Sequence, residues 1–530
     1  MFCLASSAGS GIVAGVRGVV AAVLAGIVVV LGGEWTEAMA NPRPLTIPAL
    51  RDWEGGNGTF RLRRTPRIVV PRRYRRRLRT TARVFAKDLA RLTGRRVRVV
   101  SRRRARARRG DIKLLLAARD PALGDEGYRL RIGRTIGIRG RRATGVFYGT
   151  RTVLQLLRQG STIPAGLARD WPRYPQRGLM IDNGRKYFTV RWIGSHIREL
   201  AYLKLNRLHL HFSDNQGFRI ESEQHPEVVS ARHLTKAEVR RILTLARRYH
   251  VTVVPEIDMP GHMEAALARH PELQLRNASG QRQADKLDVS LPAARRFARD
   301  LIEEFAALFP GREWHGGADE YLFPQPEAAY ALYPQLERYA RDRYGPQATG
   351  KDAYLDFINW MDGVVRERGK TLRIWHDGLT GGTIRVRPDI VVEWWSDHAG
   401  PEPQELLDRG HRILNAGWFP TYYVVGPTGA VRPDMRTAYE SWEPHEFYGP
   451  FVEDETLRTP PHPVSPDEAR NLGSEQHVWN DDPGGETEEQ IAAGIRPRLR
   501  VLAQKTWGSR RPSADYADFV PVMDSVGGAP

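Results

Sequence analysis

A (β/α)8 TIM barrel preceded by a small α+β domain is the fold class that this 530-residue sequence predicts. Three observations predict it. Eight short apolar segments recur from Gly178 to Asn480, and most are separated by stretches of helical spacing. Residues 45–165 instead mix several strand candidates with two helices. Between the two patterns lies "ARDWPRYPQ" (168–176), whose two prolines read as a linker. The expected organisation is therefore a leader at 1–40, an α+β domain at 41–170, a barrel at 171–510 and a tail at 511–530.

In the first domain, "RTTARVFAKDLARLTG" puts Ala82, Phe85, Leu89 and Leu92 on one side of a helix, with Gly94 as its stop. Strand candidates "RIVV", "RVRVV", "DIKLLL", "YRLRIG" and "TIGIRG" surround it, and "ATGVFYGTRTVLQLLRQ" closes the unit as a second helix. The barrel strands are expected at 178–182, 206–212, 251–258, 314–320, 371–377, 389–395, 412–417 and 473–480. Thr235 and Glu238 form a capping box ahead of a stripe of Val239, Ile242, Leu243 and Ala246. Later helices repeat the spacing with Phe297, Leu301, Phe305 and Leu308, and with Phe357, Met361 and Val364. The sixth and seventh crossovers fit least well, because 418–470 is rich in Pro, Gly and aromatics and reads as a long loop.

Arg17 precedes the apolar run Gly18–Gly33, and "AMA" (38–40) fits a small-x-small cleavage site. A secreted protein cleaved after Ala40 is the expectation, with an uncleaved membrane anchor as the alternative. The sole cysteine is Cys3, so no internal disulfide is available. Hydrophobic residues at 41% and charged residues at 27% are ordinary for a globular chain. The net charge of +20 is concentrated: residues 61–110 hold 22 Arg or Lys against Asp88 alone. That block reads as a solvated basic face or as a surface for an anionic polymer. With only Tyr74 and Phe85 as aromatics it lacks the interleaving of a single-strand nucleic-acid binder.

Barrel chemistry collects at the C-terminal strand ends. The first four ends offer Asp182, then His209, His211, Asp214 and Gln216, then Glu256, Asp258 and His262, then His315, Asp319 and Glu320. The last four offer Trp375, Trp394, Trp395, Trp418, Tyr422, Tyr423, Trp479 and Asp481. Half the rim is acid and imidazole and half is aromatic. Aromatic faces stack on sugar C–H faces and carboxylates bind hydroxyls, which points to carbohydrate. Two other readings compete. "HLH" (209–211) has the spacing of a metal pair, as in a metal-dependent barrel hydrolase. A non-catalytic glycan-binding protein also fits, but leaves the adjacent acids of "WHGGADEY" (314–321) without a purpose.

The same segments carry a resemblance. "RGLMIDNGRKYF" (177–188), "LKLNRLHLHFSDNQGFRIE" (203–221), "VPEIDMPGH" (254–262) and "HGGADE" (315–320) resemble the family 20 glycoside hydrolases, the β-N-acetylhexosaminidases. "GDEGYRLRI" and "GVFYGTRTVLQLL" are similar to the small domain that precedes the barrel in that family. The resemblance implies that Glu320 is the general acid/base and that Asp319 orients the substrate's own 2-acetamido group. That group then attacks the anomeric carbon to give an oxazolinium intermediate. It implies that Arg177 binds the 3- and 4-hydroxyls of the terminal sugar, a barrel-bottom ion pair being the other reading. Asp214, Asp258 and His262 would support the acid pair, and His315 would pack beneath it. Trp375, Trp395 and Trp479 would wall the acetamido pocket, with Tyr423 rather than Tyr422 bonding the acetamido oxygen. The anion at Asp319 is expected to raise the pKa of Glu320.

Two departures stand out: "DNQGF" (214–218) where the family usually has "DDQGW", and Asp481 where a glutamate commonly holds the 4- and 6-hydroxyls. The shorter acid leaves room for a second sugar, as in the lacto-N-biosidases of the family. The sequence thus predicts a cofactor-free, metal-free exo-β-N-acetylhexosaminidase acting on terminal β-linked GlcNAc or GalNAc, with a lacto-N-biosidase as the alternative.

Overall fold

The computed structural model describes residues 40–102, 107–116, 120–322, 327–397, 400–426, 432–449 and 460–530. The leader therefore lies outside the described residues. Among those residues no helix is long and apolar enough to cross a membrane.

Eight parallel strands close a barrel: Gln176–Asp182, Arg207–His211, Thr252–Met259, Glu313–Gly317, Thr371–Trp375, Val391–Trp394, Arg412–Asn415 and Asn471–Trp479. The ring is sealed where the eighth strand pairs with the first, Gly473↔Gln176 through Val478↔Ile181, and with the seventh, Ile413↔Asn471. Long helices follow the first four strands and the last. Lys236–Arg248 starts in the predicted Thr235–Glu238 capping box and buries Val239, Ile242 and Ala246. Pro292–Leu308 buries Phe297, Leu301 and Phe305, and Gly350–Glu367 buries Phe357, Met361 and Val364. Each of the larger side chains among these contributes about 1.5–3 kcal/mol when fully buried. Among the described residues the fifth crossover has no helix, the sixth has only Pro403–Asp408, and the seventh carries short pieces, Trp418–Thr421 and Met435–Glu440.

The small domain is a seven-stranded sheet, Asp52–Arg61, Arg67–Pro71, Arg98–Arg102, Ile112–Leu116, Tyr128–Ile132, Ile136–Gly140 and Thr162–Asp170. Helices Arg75–Thr93 and Ala143–Arg158 pack on one another and on one face of it. Gly94 caps the first at φ 66°, in the left-handed region that glycine adopts without strain. These helices face the barrel, and the two domains share one hydrophobic core. Residues 511–530 are not a loose tail. The helix Tyr516–Val526 buries Phe519 and Val526, and Tyr202 donates to the Val526 carbonyl at 2.7 Å.

Arg177 belongs to this junction and not to the strand ends where the resemblance placed it as a sugar ligand. It lies in the first strand next to its N-terminal residue, fully buried, with Nη2 2.9 Å from Glu126 Oε2. Its guanidinium also donates to the carbonyls of Lys204 and Tyr174. These partners lie in the small domain, the linker and the loop before the second strand, at the end of the barrel opposite Asp182. The ion-pair reading is the one the geometry supports.

The barrel interior is itself charged. Arg373, fully buried, lies 2.7 Å from Glu393 and 3.0 Å from Glu313, and donates to Gln176. Burial pushes Glu393 up, but Arg373 together with His315, His209 and His477 outweighs it and lowers Glu393 to about 2. Pairing of this kind is what a buried ion requires.

Candidate active site

The acid pair stands just past the fourth strand. Gly317, Ala318 and Glu320 take φ values of 69°, 71° and 46°. A Cβ on Gly317 would sit 1.6 Å from Asp258 Oδ1, so only glycine allows this approach. The turn that results is pinned from behind. Tyr354 donates to the Ala318 carbonyl at 2.5 Å, Lys286 to the Glu320 carbonyl at 2.7 Å, and the Glu320 N–H to Asp377 Oδ1 at 3.3 Å. Asp319 is thereby turned inward, 14% exposed, while Glu320 faces the mouth at 38%.

His262 joins the two acids. Its Nε2 is 3.2 Å from Glu320 Oε2 and 3.5 Å from Asp319 Oδ2, and its Nδ1 is 3.6 Å from Asp214 Oδ1. The chain continues inward. Asp214 Oδ2 is 3.0 Å from His211 Nε2, and His211 Nδ1 is 2.6 Å from Glu256 Oε2. Glu256 also meets His209 and His315 at 3.0 Å each and accepts from Trp375 Nε1 at 2.9 Å. His209 and His211, read from sequence as a possible metal pair, are thus both engaged with one glutamate. Among the described residues three sets here have donor atoms within 4.8 Å of one another and could hold an ion, His209–Glu256–His315, His211–Glu256–Asp258 and Asp258–His262–Asp319, and a fourth, His225–Glu227–His270, does so elsewhere.

The proton affinities run against one expectation. Burial pushes Glu320 up, but His262, Lys286 and Arg185 outweigh it and hold Glu320 below the ordinary glutamate value. Asp319 takes the upward shift instead: burial and the Glu320 charge prevail over His262. Asp258 and Asp377, both buried beside Asp319, are pushed well above the usual aspartate range. Burial opposes charge on His262, yet Asp319 and Asp214 keep its pKa well above the ordinary histidine value.

Across from the acids is an aromatic cage. Trp375, Trp395, Tyr422 and Trp479 form one buried cluster with Met180, Ala416 and Val424, and Trp418 packs on it. Trp418 stacks on Trp395 at 6.2 Å and on Tyr422 at 5.6 Å, and Trp375 lies 5.8 Å from Trp479. Trp395 Nε1 donates to Asp377 Oδ2 at 2.5 Å. Tyr423 is not part of it. Tyr422 pairs with His477 and Tyr423 with Val478, so successive side chains point to opposite faces. Tyr423 faces outward, donates to Glu486 and lies under Arg432. Tyr422 is the tyrosine that reaches the cage.

The structure also brings in residues that the sequence reading passed over. Arg185, three residues beyond the end of the first strand, spans Asp182 at 3.1 Å, Asp214 at 2.9 Å and Asp481 at 3.7 Å, over the Trp479 ring. It shares the motif "RGLMIDNGRKYF" with Arg177, and its place after the strand end was the available signal. Asp377, two residues past Trp375, had the same signal. Asp481 is 61% exposed at the rim, and His315 is buried beneath the acids against Glu256.

Residues 174–510 match "Glycosyl hydrolase family 20, catalytic domain", and 43–171 match "Glycosyl hydrolase family 20, domain 2". The chain is 32% identical over 493 residues to the lacto-N-biosidase of Bifidobacterium bifidum, covering 92% of this chain and 42% of that protein. It is 29% identical to the β-N-acetylhexosaminidase of Cellulomonas fimi, with 84% and 87% covered. The β-N-acetylhexosaminidase structure from Streptomyces coelicolor A3(2) superposes with a TM-score of 0.72 at 27% identity, over 93% of this chain and 98% of that one. The chain spans less than half of the lacto-N-biosidase and 53% of a β-hexosaminidase from Porphyromonas gingivalis. On the match over both domains, the chain belongs to glycosyl hydrolase family 20.

Proposed function

We propose that the protein is a retaining exo-β-N-acetylhexosaminidase that works by substrate assistance. The observation that carries this reading is Asp319. Its Oδ1 is buried beside an apolar aromatic cage, with no amide or hydroxyl donor among the described residues and with the Asp258 carboxyl beside Asp319. An unsatisfied buried acceptor is costly, and a 2-acetamido group would satisfy it. The methyl enters the cage, the N–H donates to Asp319, and Tyr422 donates to the carbonyl oxygen. That oxygen then attacks the anomeric carbon and the C–O bond to the leaving group breaks. Asp319 stabilises the positive charge that develops on the amide nitrogen as the oxazolinium ring closes. Glu320 gives its proton to the departing oxygen, then takes one from the water that opens the ring. Substrate covering the half-open Glu320 removes water from it and raises its proton affinity, which suits an acid.

Arg185 supports release of one sugar. It stands at the rim beside Asp481, where hydroxyls of a terminal sugar would meet a guanidinium and a carboxylate together. Arg177, at the barrel bottom, bears on neither reading. The second reading, a lacto-N-biosidase, is favoured by the relative of that name and by the shorter acid at Asp481. Hydrolysis of nitrophenyl glycosides of GlcNAc, GalNAc and lacto-N-biose separates the two. Turnover of the monosaccharide glycosides supports the first, and turnover of lacto-N-biose alone overturns it. Full activity in excess chelator is expected, and loss restored by zinc would favour metal-assisted hydrolysis. The leader at 1–40 supports export, which N-terminal sequencing of protein from the medium would check.

A further inference from the structure

The small domain has one face of its sheet covered by helices and one uncovered among the described residues. Strict alternation decides what the open face carries. In "YRLRI" the core takes Tyr128, Leu130 and Ile132, and solvent takes Arg129 and Arg131. In "IGIRG" Ile136 and Ile138 go in and Arg139 goes out. Strand register then sets Arg129 directly opposite Arg139 on one side and Arg169 on the other. Three arginines thus share one row across adjacent strands, which are spaced about 4.8 Å apart.

Like charges in directly opposed positions destabilise a sheet. One buried acid, Asp120, lies 2.8 Å from both Arg129 and Arg169, and Asp52 adds a contact to Arg169 at 3.2 Å. Arg131, Arg139 and Lys113 have no acidic partner among the described residues. The row borders a concavity of about 1060 Å³, the size of a ligand site. Gly133 and Gly137 border open space within it, since a Cβ at either would meet no atom within 4 Å. Leu167, 46% exposed, gives it an apolar patch.

We propose that this open sheet face is a second binding site, separate from the barrel mouth, for an acidic polysaccharide carrying carboxylates. A row of forked donors at strand spacing suits carboxylates on successive sugars, and Leu167 suits a sugar C–H face. A single-stranded nucleic acid would call for exposed aromatic platforms. The aromatics at the margin among the described residues are Trp53, whose indole N–H is committed to the Asn41 carbonyl at 3.1 Å, and Trp171, whose ring is already met by Arg51 at 4.7 Å and Arg169 at 5.3 Å.

The test uses the full chain and fluorescein-labelled oligogalacturonate, followed by anisotropy at low and moderate salt. R129Q/R131Q/R139Q is expected to weaken binding at least about tenfold, since it removes three charge-assisted contacts. R76Q/R79Q/R83Q, on the exposed side of helix Arg75–Thr93, is expected to change it less than about twofold. If the triple variant melts early, R131E, which breaks no ion pair, replaces it with the same expectation. Equal loss in the helix variant overturns the proposal, as does equal competition by neutral dextran. Tighter binding of duplex DNA would assign the face to nucleic acid instead. A dimer that the triple variant dissociates would assign it to a second copy of the chain.

Discussion

His262 Nε2 stands 3.2 Å from Glu320 Oε2, close enough for one imidazole to set the charge of the outer acid. Because His262 holds Glu320 low, His262→Gln should let the Glu320 pKa rise. The general acid is active while protonated, so the alkaline limb of the kcat/KM profile should move to higher pH. A pH–rate profile that only drops in height would contradict this role for His262.

Glu320→Gln removes the transferable proton and is expected to lower kcat at least about 10²-fold with KM little changed. Steady-state kinetics check this, and partial rescue by an added small carboxylic acid would mark the defect as proton transfer.

Tyr422→Phe and Tyr423→Phe make a paired test of strand register. Loss of a hydrogen bond to developing charge costs about 1.5–3 kcal/mol, so Tyr422→Phe should slow turnover about 10- to 10²-fold. Tyr423→Phe, on the outer face, should leave kcat near the parent value. The reverse order in kinetic assays would mean the register is misread.

Arg373→Met leaves Glu393 and Glu313 without their shared cation and should cost about 3–5 kcal/mol in urea unfolding. The sign of the pH effect follows from Glu393, whose folded value near 2 lies below its ordinary 4.5. Its contribution is complete above pH about 4.5 and fades as pH falls toward 2. The variant should therefore lose less stability than the parent across that acid window.

The barrel was legible because its helices keep one apolar stripe each and its strands are short apolar runs. The sixth and seventh crossovers have no such stripe, so they fit least well, and 418–470 reads as a long loop. The acid pair was singled out through "HGGADE", in which Gly317 makes an approach to Asp258 that a Cβ would block. Arg177 against Arg185, and Tyr423 against Tyr422, were not legible. Each choice depends on which side of a strand end, or which face of a strand, a residue occupies, and neighbouring residues of the same type give no periodic clue. The fate of the acid pKa values was also hidden, because His262 comes from another strand.

The most direct test of the account is the nucleophile itself. A series of nitrophenyl glucosaminides bearing N-acetyl, N-fluoroacetyl, N-difluoroacetyl and N-trifluoroacetyl groups weakens the amide oxygen stepwise and leaves the leaving group unchanged. If that oxygen makes the first bond to the anomeric carbon beside Asp319, kcat/KM falls steeply at each fluorine. A flat series, with a sugar ester trapped on a carboxylate of the protein, would contradict it.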